Sequence, residues 1–127
     1  MTEDLRGKVV LVTGATGGIG RCLASMAAGA GASVMLADVA EAAVRQLAGE
    51  LGATSVRCDV TRPEDSAYAV QATVGRYGGL DIALLNAGVV LDTRLGPEFD
   101  LAAYRRTMGV NIDGPVFGIN EIGRAHV

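Results

Sequence analysis

Lys8-Val9-Val10-Leu11-Val12-Thr13 runs directly into Gly14-Ala15-Thr16-Gly17-Gly18-Ile19-Gly20, and the reading of this junction decides the fold. The first six residues form a β-branched run without polar alternation, the pattern of a strand buried on both faces. The glycines that follow open a helix near Gly18. Within it Ile19, Leu23, Met26, Ala27 and Ala30 recur at helical spacing, and Gly29 and Gly31 supply stop signals. A pyrophosphate at such a junction receives backbone N–H groups and the positive end of the helix dipole, and glycines keep side chains out of its way. Taken alone, the same glycine string also describes an ordinary tight turn.

Working outward, strand and helix keep alternating. Ser33 to Asp38 reads as a second strand, and Val44, Leu47, Ala48 and Leu51 form the apolar stripe of a helix from about Glu41 that Gly52 can end in a left-handed conformation. Ser55 to Cys58 is a third strand. Thr61 followed by Glu64 has the spacing of a capping box, with Pro63 in the first turn, and predicts a helix through Val70, Val74 and Tyr77, ended by Gly78 and Gly79. Leu80 to Asn86 is a fourth, internal strand. After Gly96 and Pro97, Asp100 can cap a helix that turns Leu101, Tyr104, Met108 and Ile112 toward the core. Connections this short imply right-handed crossovers in a mostly parallel sheet. The expected fold is α/β, a Rossmann-type doubly wound parallel sheet, incomplete, with the first four strands and their helices.

Asp38 closes the second strand at the distance from the glycine loop where a ribose-binding acid is expected. A carboxylate there accepts hydrogen bonds from both adenosine ribose hydroxyls, whereas a 2′-phosphate would meet like charge. Neither Ala15-Thr16-Gly17 nor Val39-Ala40 supplies a basic residue. Arg21 can reach round or simply stand solvated in the first helical turn. NAD is therefore expected in preference to NADP.

Composition narrows the partners. The chain has 127 residues, half of them apolar, and a net charge of −3, enough for one domain with a real core. Its arginines are scattered, which gives no footprint for nucleic acid. No apolar run approaches the roughly 20 residues that span a bilayer, and Met1, Thr2, Glu3 and Asp4 make an acidic start unlike a secretory signal. A cytoplasmic location without membrane attachment is expected. Cys22 and Cys58 lack metal-ligand or redox spacing and read as buried thiols. The single histidine, His126, can build neither a zinc cluster nor a histidine-based triad.

With these residues in place, Thr13-Gly-x-x-x-Gly18-x-Gly20 resembles the nucleotide loop of classical short-chain dehydrogenases/reductases. Asp59-Val60 is similar to that family's adenine-contacting pair, and Asn86-Ala87-Gly88 resembles its Asn-Ala-Gly signature. Asn111 falls where its catalytic-site asparagine occurs. The resemblance covers about Arg6 to Asn120. It implies cofactor-binding roles for Gly14, Thr16, Gly18, Ile19, Gly20, Asp38, Asp59, Val60, Asn86, Ala87 and Gly88, and a catalytic role for Asn111, whose main-chain carbonyl would hold a water of the proton relay. Read physically, Asp59 can equally be a turn residue and Asn86 can satisfy backbone groups at a strand end. Pro115 cannot donate to the Asn111 carbonyl, which either exposes that acceptor or marks a simple kink.

The implied activity is NAD-dependent interconversion of a small alcohol and carbonyl by hydride transfer, with a homo-oligomer as the full-length form. This chain departs from the family where the chemistry should be. The signature Tyr-x-x-x-Lys is absent: Tyr68, Tyr77 and Tyr104 are followed four places on by Ala72, Asp81 and Met108, and Lys8 is the only lysine. The expectation is an inactive fragment, residues 1–120 being the N-terminal part of an NAD-binding domain, with weak or undetectable NAD binding and an uncovered apolar strand edge. Residues 121–127 (Glu121 to Val127) look like the conceptual translation of a sequencing adapter and are expected to be a non-native tail. A non-catalytic nucleotide-binding module with a regulatory or scaffolding role is the alternative.

Overall fold

The run after Lys8 forms strand β1, Val9–Thr13, with all five residues buried. Helix α1 follows at Gly18–Gly29, strand β2 at Ser33–Asp38, helix α2 at Glu41–Leu51, strand β3 at Thr54–Arg57, helix α3 at Pro63–Tyr77 and strand β4 at Ile82–Leu84. A short turn of 3-10 helix at Gly96–Glu98 leads to α4, Leu101–Met108; a π-helical turn, Gly109–Asp113, then passes into α5, Gly114–Ala125. The computed structural model describes residues 4–91 and 94–126. Met1, Thr2 and Glu3 of the expected domain and Val127 of the expected tail lie outside the described residues.

All strand pairings are parallel, and the order is β3-β2-β1-β4. Sequence order runs outward from β1 in one direction, then jumps to β4 on its other side. That reversal opens a crevice at the carboxyl ends of β1 and β4. Consecutive strand residues face opposite sides, and both sides are apolar here. Val10, Val12, Val34 and Leu36 pack with Ala24, Ala27, Val44 and Leu47 of α1 and α2. Val9, Leu11, Met35 and Ala37 pack with Cys58, Ala69, Val70 and Leu80. Complete burial of a leucine such as Leu11 or Leu36 stabilises the fold by about 2 kcal/mol. Among the described residues, no helix is long and apolar enough to cross a membrane.

Several local expectations are corrected. In α1 the buried residues are Gly20, Ala24 and Ala27, while Ile19 and Met26 are 72% and 67% exposed; small residues let this helix lie close on the sheet. Cys22, on its outer face, is exposed, and only Cys58 is buried. The Thr61–Glu64 capping box does not form: Arg62 is the N-cap of α3 without a side-chain bond, because the Thr61 hydroxyl donates to Asp59 Oδ1 instead, at 2.7 Å. Strand β3 ends one residue earlier than expected, and the ladder of β4 covers only the middle of Leu80 to Asn86. The caps at Gly52 (left-handed) and Asp100, which accepts from the Ala103 N–H, form as expected.

The largest correction concerns α4. Leu101, Tyr104, Met108 and Ile112, expected in the core, are 37–52% exposed. The π-helical turn inserts a residue into the helical phase, so Val110 is the buried side chain there. Beyond it Gly114 and Gly118 approach Val60 and Leu85. The apolar face therefore points outward and continues through Val116 and Ile119, 56% and 63% exposed.

Candidate functional site

At the β1/β4 crevice a cleft of about 600 Å³ opens. Every residue expected to hold a cofactor lines it: Gly14, Thr16, Gly18, Ile19 and Gly20 from the loop and α1, Asp38 from β2, Asp59 and Val60 after β3, and Asn86, Ala87 and Gly88 after β4. Asn111 does not. A second cavity, about 10 Å³ and lined mainly by apolar residues of the sheet, α3 and α5 with Thr13 and Ser66 among them, has no room for a nucleotide.

The loop is shaped by backbone contacts that only glycine permits. Gly14 has φ +62°, and a Cβ there would meet the Ala87 Cα at 2.7 Å. Gly20 presses on the Gly14 carbonyl and on Asn86 Nδ2, leaving no space for a Cβ. Gly17, the N-cap of α1, has no side-chain hydrogen bond to the first turn. The opening N–H groups of α1 thus lack a side-chain acceptor and face a cleft that they line, as an anion site requires.

Asp38 is 9% exposed. Its Oδ2 accepts from the Thr16 N–H (3.0 Å) and the Thr16 hydroxyl (2.8 Å), and its Oδ1 from the Ala40 N–H (2.9 Å). A carboxylate has about four acceptor sites, so three internal bonds leave one, on Oδ1. Two ribose hydroxyls would need two acceptor sites, one more than these bonds leave on Asp38. Arg21 lies toward Glu50, at 3.8 Å, and does not line the cleft.

Asp59 Oδ1 accepts from both the hydroxyl and the N–H of Thr61 (2.7 and 3.0 Å). The hydroxyl bond, with the Thr61 N–H and the positive charges of Arg106 and Arg57, holds its carboxyl below the usual carboxylate range against a smaller effect of burial. Asp59 is therefore both the turn residue that sequence allowed and an anion beside the cleft. Burial pushes the neighbouring Cys58 thiol up to about 11, with the anions Asp65 and Asp59 adding to it. Cys58 is therefore an uncharged wall of the cleft at neutral pH.

Asn86 serves the strand ends. Its N–H donates to the Thr13 hydroxyl oxygen (3.0 Å), and its Nδ2 donates to the carbonyls of Thr13 (3.2 Å) and Gly14 (3.3 Å). Thr13 Oγ1 also accepts from the Ala87 N–H. Thr13 thus joins β1 to the segment after β4, a role its sequence position did not reveal. Asn111, in the π-helical turn, accepts from the Val89 N–H (2.8 Å) and donates to the Val89 carbonyl (2.9 Å). It braces Val89, a residue of the cleft wall. Asn111→Ala is expected to cost about 1 kcal/mol locally and to speed amide hydrogen exchange at Val89 about fivefold; unchanged exchange would remove the bracing role.

The cleft also takes in Val39, Thr61, Val89, Arg106 and Val110, none of which was expected in it. Val110 and Arg106 stand next to Asn111 and one turn before it. The i+4 spacing of Arg106 and Val110 is the sequence signal for this pair, and the more regular apolar stripe Leu101, Tyr104, Met108 and Ile112 masks it.

The family model for short chain dehydrogenases matches residues 8–125. The mitochondrial borneol dehydrogenase of Lavandula x intermedia is 36% identical over 97% of this chain and 48% of its own length. A short-chain dehydrogenase/reductase of the glucose/ribitol dehydrogenase type from Brucella melitensis superposes with a TM-score of 0.92 at 26% identity, over 98% of this chain and 55% of its own. The 3-ketoacyl-(acyl-carrier-protein) reductase of Brucella melitensis, solved with NADH, gives 0.88 at 31% identity, over 94% of this chain and 50% of its own. The chain spans about half the length of these relatives.

Proposed function

Since this chain belongs to the short chain dehydrogenase family, we propose that it carries the NAD-binding part of an oxidoreductase acting on a small alcohol or carbonyl compound. The observation that carries the reading is the convergence of the glycine cradle, Asp38 and Asp59-Val60 on one cleft at the point where the strand order reverses. The residues fit a dinucleotide. The cradle is one that a Cβ at Gly20 would fill, the first turn of α1 lacks a side-chain cap, and Asp38 Oδ1 keeps an acceptor site for a ribose hydroxyl. Asp59 Oδ2, which accepts no hydrogen bond from a described residue, is free for an exocyclic amine.

Bound nicotinamide would supply hydride exchange at its C4. The residues of this chain bind and orient. Asn86, Ala87 and Gly88 form the wall at the end of β4, and Asn111 holds Val89 in register while its main-chain carbonyl is the group assigned to the relay water. NAD is favoured over NADP because a 2′-phosphate would face the Asp38 carboxylate while Arg21 is drawn to Glu50. Lacking Tyr-x-x-x-Lys, the chain is expected to turn over no substrate. The exposed apolar stripe from Leu101 to Ile119 supports self-association of the whole protein. No observation favours a regulatory or scaffolding module.

The test is titration of the 127-residue chain with ADP and NAD, followed by NMR chemical shifts. The expected result is weak binding, with dissociation constants on the order of 0.1–1 mM and nearly the same for both ligands, because the adenosine half of the site carries the contacts. Absence of ADP binding at millimolar concentration would overturn the nucleotide reading.

A further inference from the structure

We infer that Arg106 is a specificity-determining residue of this cleft, laying its guanidinium plane over the adenine ring of a bound nucleotide. The inference rests on the nucleotide reading above and assigns a contact at the base end of the same site.

The position follows from the π-helical turn. Gly109 faces Thr61, its virtual Cβ 3.4 Å from Thr61 Cγ2, and Gly114 faces Val60. The turn is thus seated over Val60 and Thr61, which with Asp59 line the cleft. One turn earlier on α4, Arg106 lines the same cleft, near enough to Asp59 for its charge to act there, with Val110 after it at the i+4 position. Arg106 and Val110 stand on one helical face, and Val39, after β2, also lines the cleft and is 52% exposed.

Chemistry selects a flat π surface as the partner. Among the described residues Arg106 is the only cationic side chain lining the cleft. It makes no hydrogen bond or ion pair with any of them, so its donors are unengaged. Its charge acts on Asp59 through space, which keeps the guanidinium near the base end without fastening it in a bidentate pair. Loosely held, weakly hydrated and planar, a guanidinium stacks on aromatic rings, which an ammonium does less well. Adenine bound with its amine toward Asp59 would present one face to Val39 and the other to Val110 and Arg106.

Two variants of the full chain test this, with ADP as the probe, NMR titration as the readout and thermal denaturation as the control for folding. Arg106→Ala should weaken ADP binding about three- to tenfold. Arg106→Lys, which keeps the charge and the helix propensity, should weaken it nearly as much. Parent-like ADP affinity in Arg106→Ala would overturn the inference. Parent-like affinity in Arg106→Lys would also overturn it, by showing that charge alone attracts the diphosphate. Failure of the unsubstituted chain to bind ADP would instead defeat the nucleotide reading beneath it.

Discussion

Gly20→Ala is expected to lower the stability of the chain by about 2–4 kcal/mol and to abolish ADP binding. The added methyl would overlap the Gly14 carbonyl oxygen and stand 2.8 Å from Asn86 Nδ2 and 2.9 Å from the Gly14 carbonyl carbon. None of these atoms can yield cheaply. The Gly14 carbonyl already accepts from the Gly17 N–H at 3.2 Å and from Asn86 Nδ2 at 3.3 Å. Moving it breaks the loop, and moving Asn86 breaks the tie between β1 and β4. Helix propensity alone predicts the opposite sign, since alanine is favoured over glycine in a helix by about 1 kcal/mol. Gly75→Ala in α3, where a Cβ meets nothing within 4 Å, is the matched control and should stabilise by up to about 1 kcal/mol. Urea denaturation of the two variants decides the matter: a Gly20→Ala chain as stable as the parent would remove close packing as the reason for this glycine.

Asp38→Ala has the second large effect, a loss of about 2–4 kcal/mol in stability and about 10- to 100-fold in ADP affinity. Its carboxylate receives three hydrogen bonds at a nearly buried position. Truncation leaves the Thr16 and Ala40 N–H groups without their acceptor and removes the oxygen assigned to the ribose. Since Thr16 belongs to the glycine loop, the diphosphate cradle loosens as well. Asp38→Asn separates the two roles: it preserves the size and one acceptor oxygen but turns an N–H₂ toward a backbone donor. With the negative charge gone, its ratio of NAD to NADP affinity should fall toward one. A ratio unchanged from the parent would show that Asp38 does not set the choice between them.

Both faces of β1 and β2 are apolar, and that composition alone required layers on each side of a parallel sheet. The glycine loop was readable because close backbone approach admits only one residue type. Failures fell where one residue had two competing partners. Thr61 had the spacing to cap α3, but Asp59, two residues away, took its hydroxyl. The stripe Leu101, Tyr104, Met108 and Ile112 was apolar and periodic, which fits a core face and an outward face equally well until neighbours are known.

By itself, then, the sequence determined the alternation of strands and helices, the parallel sheet, and the cofactor candidates that line the cleft, because each follows from local geometry or from a short chain segment. Tertiary structure alone decided that Asp38 has one acceptor site left, that Asn86 and Thr13 clamp two strand ends, that Asn111 braces Val89, and that Arg106 reaches the cleft. These depend on segments tens of residues apart meeting at the crevice. The strand order that brings them together arises from packing, to which no local pattern is sensitive.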